Sequence, residues 1–77
     1  MDNNIDVTID NIGHICRRIR RLSKRSQESV ALELGVATST VERIENGKVE
    51  PSFTSLIKMM TVYDYKINLQ KQNNPLP

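Results

Sequence analysis

The sequence predicts a small, mainly α domain of four to five helices followed by one short β-strand, and three observations lead to this fold class. Apolar residues recur at helical spacing from Ile12 to Met60, small polar residues or glycines interrupt that spacing, and strict alternation replaces it after Asp64. A chain of 77 residues has room for one core only, so we expect a single domain that gains from self-association.

Changes of pattern divide the chain into four segments. Residues 1–10 are polar and acidic, which predicts a flexible N-terminal tail, although alternating apolar residues leave a short strand over residues 5–9 open. Residues 11–63 form the helical domain, residues 64–71 a strand and residues 72–77 a disordered tail.

The first helix is predicted to begin at Ile12. Its apolar residues fall on one stripe of a helical surface, namely Ile12, Ile15, Cys16, Ile19 and Leu22. Residues 11–27 also hold six cations and no anion, although the whole chain carries a net charge of only +2. This asymmetry permits a polyanionic partner. The single histidine and single cysteine cannot supply a disulfide or a zinc site, so we expect a surface His14, a core Cys16 and no metal or cofactor.

The second helix is predicted between Ser26 and Gly35. Serine is a favourable N-cap, and a glycine directly after a helix accepts the left-handed conformation that ends it. The buried stripe of this helix is expected to be Val30, Ala31 and Leu34.

The third helix is predicted to open at Thr38 and to end at Asn46-Gly47, with Val41 and Ile44 facing inward. An Asn-Gly pair also suits a hairpin turn, but the preceding residues have helical spacing rather than alternation, which favours a helix end. A fourth helix is predicted after Pro51-Ser52, with the inward stripe Phe53, Leu56, Ile57 and Met60.

Alternating residues after Asp64 predict a half-buried strand. An unpaired strand leaves backbone groups without partners, and the same strand from a second copy is the simplest partner across a two-fold axis. We therefore expect a homodimer whose interface contains Met59, Val62, Tyr65, Ile67 and Leu69.

Two short helices joined through Gly35 form a helix-turn-helix. Opposite its inward residues, the third helix would present Ser39, Glu42, Arg43 and Asn46, with Thr38 at its amino end. Small hydroxyls, an arginine and an amide suit a helix that lies in the DNA major groove.

Residues 12–63 resemble the Cro/C1 repressor (Xre-type) helix-turn-helix family of all-α DNA-binding domains. The matching residues are Gly13, Ile19-Arg20, Ser26-Gln27, Ala31, Leu34-Gly35-Val36, Ser39-Thr40-Val41, Ile44-Glu45-Asn46-Gly47-Lys48, Pro51-Ser52 and Leu56. The resemblance implies a phosphate contact for Gln27, base contacts for Thr38, Ser39 and Arg43, and a phosphate or base-edge contact for Thr40. It further implies backbone contacts for Asn46 and Lys48, and an Arg20–Glu45 pair that ties the first helix to the third.

Three residues depart from the family pattern. Ala37 stands where a hydroxyl N-cap is common, Arg25 replaces a leucine, and Glu42 brings an anion near the groove. These departures bear on base contacts more than on the fold.

In place of the family's fifth helix stands the predicted strand, and this arrangement resembles the HipB-type antitoxins, whose partner is a HipA-type kinase toxin. The sequence therefore predicts a sequence-specific repressor of a palindromic double-stranded DNA operator, acting as the antitoxin and autoregulator of such an operon. The alternative is a phage-type or stand-alone Xre regulator without a toxin partner.

Other classes of function fit the sequence poorly. It contains no paired-carboxylate site, nucleophile beside a base or phosphate-binding loop, so we expect neither an enzyme nor a small-molecule substrate. Three aromatic residues argue against a stacking platform for single strands. The arginine run of residues 17–21 could line DNA phosphates or face an acidic partner, and RNA binding through it is a weaker alternative. No long apolar run or signal-peptide pattern is present, so a cytoplasmic protein without membrane contact is expected.

Overall fold

Four helices make up the computed structural model, which describes residues 6–8 and 10–68. They are α1 (Ile12–Leu22), α2 (Gln27–Leu34), α3 (Thr38–Glu45) and α4 (Phe53–Val62). No β-strand occurs in these described ranges, so the mainly α fold class is confirmed. Over the same ranges, no helix combines the length and apolar character needed to cross a membrane.

Serine side chains begin two of the helices. The backbone N–H of Ser29 donates to Ser26 Oγ at 3.0 Å at the start of α2, and the N–H of Ser55 donates to Ser52 Oγ at 3.1 Å at the start of α4. Each bond satisfies a donor that the first helical turn leaves free. Helix α3 begins at Thr38 without such a bond, because the preceding Ala37 has no side-chain acceptor.

Lys24, two residues after the end of α1, has an unfavourable backbone conformation. Lys24 adopts φ 57°, and its N–H and that of Arg25 reach back to the carbonyls of Arg21 and Arg20 at 3.0 and 3.2 Å. These two hydrogen bonds form the pattern that commonly ends a helix, and a glycine usually occupies the position that Lys24 holds here. A side chain in the left-handed region costs about 1–2 kcal/mol, so the lysine holds this position at the expense of stability.

Replacing Lys24 with glycine is therefore expected to stabilise the domain. Relief of the left-handed strain outweighs the extra entropy of glycine in the unfolded chain, for a net gain of about 0.5–1 kcal/mol. Urea denaturation measures the change. Lys58→Gly is the matched control, because the same substitution inside α4 should cost about 1 kcal/mol. A destabilising Lys24→Gly would contradict the prediction.

The core lies where all four helices meet. Cys16 is fully buried and His14 exposed, as the sequence predicts. The buried core residues are Ile15, Cys16, Ile19, Val30, Ala31, Val41, Ile44, Met59, Met60 and Tyr63.

Two of the predicted apolar stripes are wrong in part. Leu22 is 62% exposed at the last position of α1, and Phe53 and Ile57 are 60% and 41% exposed on α4. Helix α4 has apolar residues on more than one face, so periodicity does not decide which face the core takes. Packing selects the face that carries Met59 and Tyr63.

The predicted dimer residues have mixed outcomes. Met59 is 1% exposed inside the core of its own chain, which leaves it almost no surface for contact with a second copy. Val62 and Ile67 are half-buried and pack against the same core. Residues 65–68 have no regular secondary structure in the single chain, where a strand is expected, and neither do residues 6–8 of the possible strand 5–9. Leu69 lies outside the described residues, as do residues 1–5, residue 9 and the tail 72–77.

Candidate nucleic-acid interface

A tight turn at Gly35 joins α2 to α3. Gly35 adopts φ 72° and ψ 32°, a conformation in which any other side chain would be strained. Its N–H donates to the carbonyl of Leu32 at 3.2 Å, and the N–H of Val36 donates to that of Ala31 at 3.0 Å. These bonds close the end of α2, and α3 begins only three residues after Gly35.

The inner face of α3 is held against α1 and α2. Val41, Ile44 and Glu45 are buried on this face, with exposures of 0, 6 and 3%. At Gly13, on α1, an added Cβ would lie 2.4 Å from the carbonyl oxygen of Ile44. The backbones of α1 and α3 are therefore in direct contact. Gly13 matches the family pattern, but that match alone does not predict this contact.

The outer face of α3 is polar and exposed. Its exposed residues Ser39, Glu42, Arg43 and Asn46 follow the spacing i, i+3, i+4 and i+7, which places them on one stripe of the helix. Thr38 is half-buried at the amino end, whereas Thr40 and Lys48 are exposed. An eight-residue helix with one fixed face and one polar face has the shape and chemistry needed to enter a major groove.

One buried carboxylate connects the first three helices. Arg20 on α1 donates from Nε to Glu45 Oε2 at 2.6 Å and from Nη2 to Oε1 at 3.0 Å. Gln27, the first residue of α2, donates from Nε2 to Glu45 Oε1 at 3.1 Å. The third arginine nitrogen, Nη1, donates to the carbonyl of Arg25 at 2.8 Å, in the loop between α1 and α2. We call Arg20, Gln27 and Glu45 the carboxylate cluster.

The carboxylate cluster shifts the ionisation of its neighbours. Burial raises the pKa of Glu45, but the hydrogen bonds from Arg20 and Gln27 together with the arginine charges outweigh burial, so the pKa lies below its usual value. The hydrogen bond to Glu45 raises the pKa of Arg20. Burial, with the charge of Glu45, raises the pKa of Cys16 to about 11. Its thiol therefore stays protonated at neutral pH and serves as a packing group rather than a nucleophile.

Arg17 joins the cluster from its exposed side, a placement that sequence reasoning missed. Its Nε lies 3.6 Å from Glu45 Oε1, and its Nη2 donates to Asn46 Oδ1. The sequence places Arg17 only in the arginine run of residues 17–21, whose role is left open between DNA phosphates and an acidic partner. The spacing of three residues between Arg17 and Arg20 could have indicated that both lie on the side of α1 that faces α3.

The structure thus brings together part of the predicted site. Gln27 and Arg20 both bond to Glu45, and Asn46 is linked to the carboxylate cluster through Arg17. Ser39 and Arg43 share the exposed stripe of α3, Thr38 and Thr40 occupy its first turn, and Lys48 follows its end.

Fold and surface together define the class of protein, a helix-turn-helix DNA-binding domain. A helix-turn-helix family model matches residues 17–70, which cover the motif and most of the chain. The chain belongs to this family, of the Cro/C1 (Xre) type, whose members are DNA-binding transcriptional regulators. No individual curated protein matches the chain.

Proposed function

We propose that the protein is a homodimeric transcriptional repressor that reads a palindromic operator with α3. The observation that carries the proposal is the exposed polar stripe on a helix whose other face is fixed by the carboxylate cluster. Reading bases requires a helix held at a set angle, because contacts to base edges depend on position. The connection of α1, α2 and α3 through Glu45 meets that requirement.

Individual roles follow from exposure and chemistry. Arg43 is exposed and forms no ion pair with any described residue, so its guanidinium is available to a base edge. Ser39 and Thr38 lie four and five residues before it and are proposed to contribute hydroxyls to base contacts, and Thr40 is proposed to contact a phosphate or base edge. Gln27 gives one of its two amide hydrogens to Glu45, which leaves the other for a DNA phosphate. Two further residues, Asn46 and Lys48, are exposed at the end of α3 and are assigned to the backbone.

The Arg43→Ala variant is expected to lose sequence preference. A bidentate contact between arginine and guanine contributes about 1–3 kcal/mol of discrimination, so the ratio of operator to scrambled-duplex affinity should fall by roughly 5- to 150-fold. Footprinting on the chain's own promoter defines the operator, and fluorescence anisotropy measures both affinities. Lys58→Ala, which removes an exposed cation from α4, should leave the ratio unchanged. An unaltered ratio in Arg43→Ala would refute α3 as the reading helix.

We propose further that residues 64–71 pair with the same segment of a second copy. Tyr65 is 37% exposed, alternating residues continue through Ile67 to Leu69, and Val62 lies half-buried beside them. Pairing would satisfy the backbone of this segment and bring two copies of α3 to half-sites about 34–36 Å apart.

Removal of residues 69–77 tests the dimer. Ile67, which packs on the core, stays in place in this variant, so the protomer should still fold. We expect a monomer in sedimentation analysis and a weaker, non-cooperative affinity for the full operator. A dimer of unchanged stability would refute pairing through this segment.

The regulator is further proposed to be the antitoxin and autoregulator of an operon with a kinase-like toxin. The support is the combination of a Cro/C1-type domain with the proposed C-terminal pairing segment. Co-expression with the neighbouring gene product tests this proposal: a kinase-like protein should co-purify and alter operator binding. A neighbour of another kind, or one that does not bind, would favour the alternative, a stand-alone Xre-type regulator.

A further inference from the structure

Arg17 gives the carboxylate cluster a surplus positive charge. Glu45 already receives two hydrogen bonds from Arg20, at 2.6 and 3.0 Å, whereas Arg17 Nε lies 3.6 Å from the same carboxylate. Two guanidinium groups against one carboxylate leave a net charge of about +1 at this point. The Arg17 side chain is 31% exposed and that of Arg20 only 11%, so Arg17 presents the surplus charge to solvent.

The position of Arg17 relates that charge to the proposed DNA-binding side. Arg17 Nη2 donates to Asn46, and its Nε approaches the Glu45 oxygen that also accepts from Gln27. Gln27 and Asn46 are assigned above to the DNA backbone, and both lie at the carboxyl end of α3, where Gln27 bonds to Glu45 and Asn46 follows it. Arg17 therefore lies next to two proposed contacts to the DNA backbone, with its side chain 31% exposed.

Further cations extend from Arg17 along α1. An open groove on this helix is lined by His14, Arg17, Arg18, Arg21 and Leu22. Arg18 and Arg21 are exposed, and neither forms an ion pair with a carboxylate of the described residues. Since Arg17 and Arg21 are one helical turn apart, about 6 Å along the axis, their charges act on one stretch of a ligand.

We propose that Arg17, together with Arg18 and Arg21, forms a sequence-independent site for the phosphates of the DNA strand that flanks the operator half-site. The proposal rests on the proposed function, because it takes α3 as the reading helix. An acidic protein could also match the charge of this groove. The contacts of Arg17 with Asn46 and with the Gln27-bound carboxylate favour DNA, because they join the groove to the proposed backbone contacts.

The salt dependence of binding tests this site. Affinities for the operator and for a scrambled duplex are measured by anisotropy over a range of NaCl concentrations. Removing one phosphate contact should reduce the slope of log K against log salt by about 0.9. We expect that reduction for Arg17→Gln and up to twice it for the Arg18→Gln/Arg21→Gln double variant. The operator-to-scrambled ratio should stay within about twofold of the wild type, because phosphate contacts strengthen binding to all sequences alike.

Two further variants separate charge from structure. Arg17→Lys keeps the charge and should retain the wild-type slope, whereas a merely structural role of Arg17 would alter melting temperature without moving the slope. Lys58→Gln removes a cation from α4 and should leave the slope unchanged. The proposal would be overturned if Arg17→Gln and Arg18→Gln/Arg21→Gln both kept the wild-type slope of log K against log salt. It would also be overturned if these variants bound DNA normally but no longer bound an acidic protein that co-purifies with the wild type. Failure of the wild-type protein to prefer any operator would instead refute the proposed function.

Discussion

Replacing Glu45 with alanine is expected to reduce the free energy of unfolding by about 3–5 kcal/mol, a large fraction of what a domain of this size has. The substitution removes the acceptor of three hydrogen bonds and leaves Arg20, whose side chain is 11% exposed, without its counter-charge. Urea denaturation measures the loss. Reactivity of the buried Cys16 thiol gives a second measure, because that side chain is fully buried in the folded state.

Glu33→Ala is the matched control for this variant. Glu33 also pairs with an arginine, Arg25, at 3.1 Å, but its side chain is 54% exposed. An exposed pair contributes about 0–1 kcal/mol, so the control should be nearly as stable as the wild type. An equal loss of unfolding free energy in the two variants would show that the burial of Glu45 does not strengthen its interactions. A small loss in both would show that the carboxylate cluster does not hold α3.

The same carboxylate should make stability depend on pH. Because the pKa of Glu45 is lower in the folded chain than its ordinary value of 4.5, its contribution is complete above that value and is lost as pH falls through the folded pKa. Unfolding free energies measured from pH 7 down to about pH 3 should therefore fall more steeply for the wild type than for Glu45→Gln. Parallel curves for the two proteins would contradict this assignment.

The helix boundaries could be predicted from the sequence because the interactions that set them are local. Ser26 caps α2 through a bond to a residue three positions away, and Gly35 ends it through its own backbone conformation. Neither depends on the rest of the fold. For the same reason, the sequence alone indicates that Ala37 cannot cap α3 through its side chain, and α3 begins at Thr38 as predicted.

Features set by packing between helices could not be predicted in this way. Helix α4 is apolar on several sides, so only contact with the other helices decides that Met59 is buried and Phe53 exposed. The left-handed conformation of Lys24 could not be predicted from its residue type, because lysine seldom occupies that conformation. Likewise, the family resemblance pairs Arg20 with Glu45, but the approach of Arg17 depends on the angle between α1 and α3.

That angle depends on Gly13, and Gly13→Ala is expected to destabilise the domain by about 1–3 kcal/mol. Alanine in a helix normally gains about 1 kcal/mol over glycine. Here its Cβ would meet the carbonyl oxygen of Ile44 at 2.4 Å and that of Glu45 at 3.2 Å. Both are backbone atoms, which no side-chain rotation can move away, so α1 and α3 must separate.

Separation of α1 from α3 should also weaken operator binding, because α3 is held partly through Arg20 and Arg17 on α1. His14→Ala provides the control: it lies next to Gly13 on the same helix, is exposed, and should change stability by less than about 0.5 kcal/mol. Denaturation of Gly13→Ala and His14→Ala tests the loss of stability, and anisotropy of Gly13→Ala against the wild type tests the loss of binding. His14→Ala is a control for stability only, because His14 lines the groove proposed to contact DNA. If Gly13→Ala is as stable as the wild type, the close approach of the two backbones does not fix α3. If it is less stable but binds the operator with full affinity, the contact supports the fold and not the reading helix.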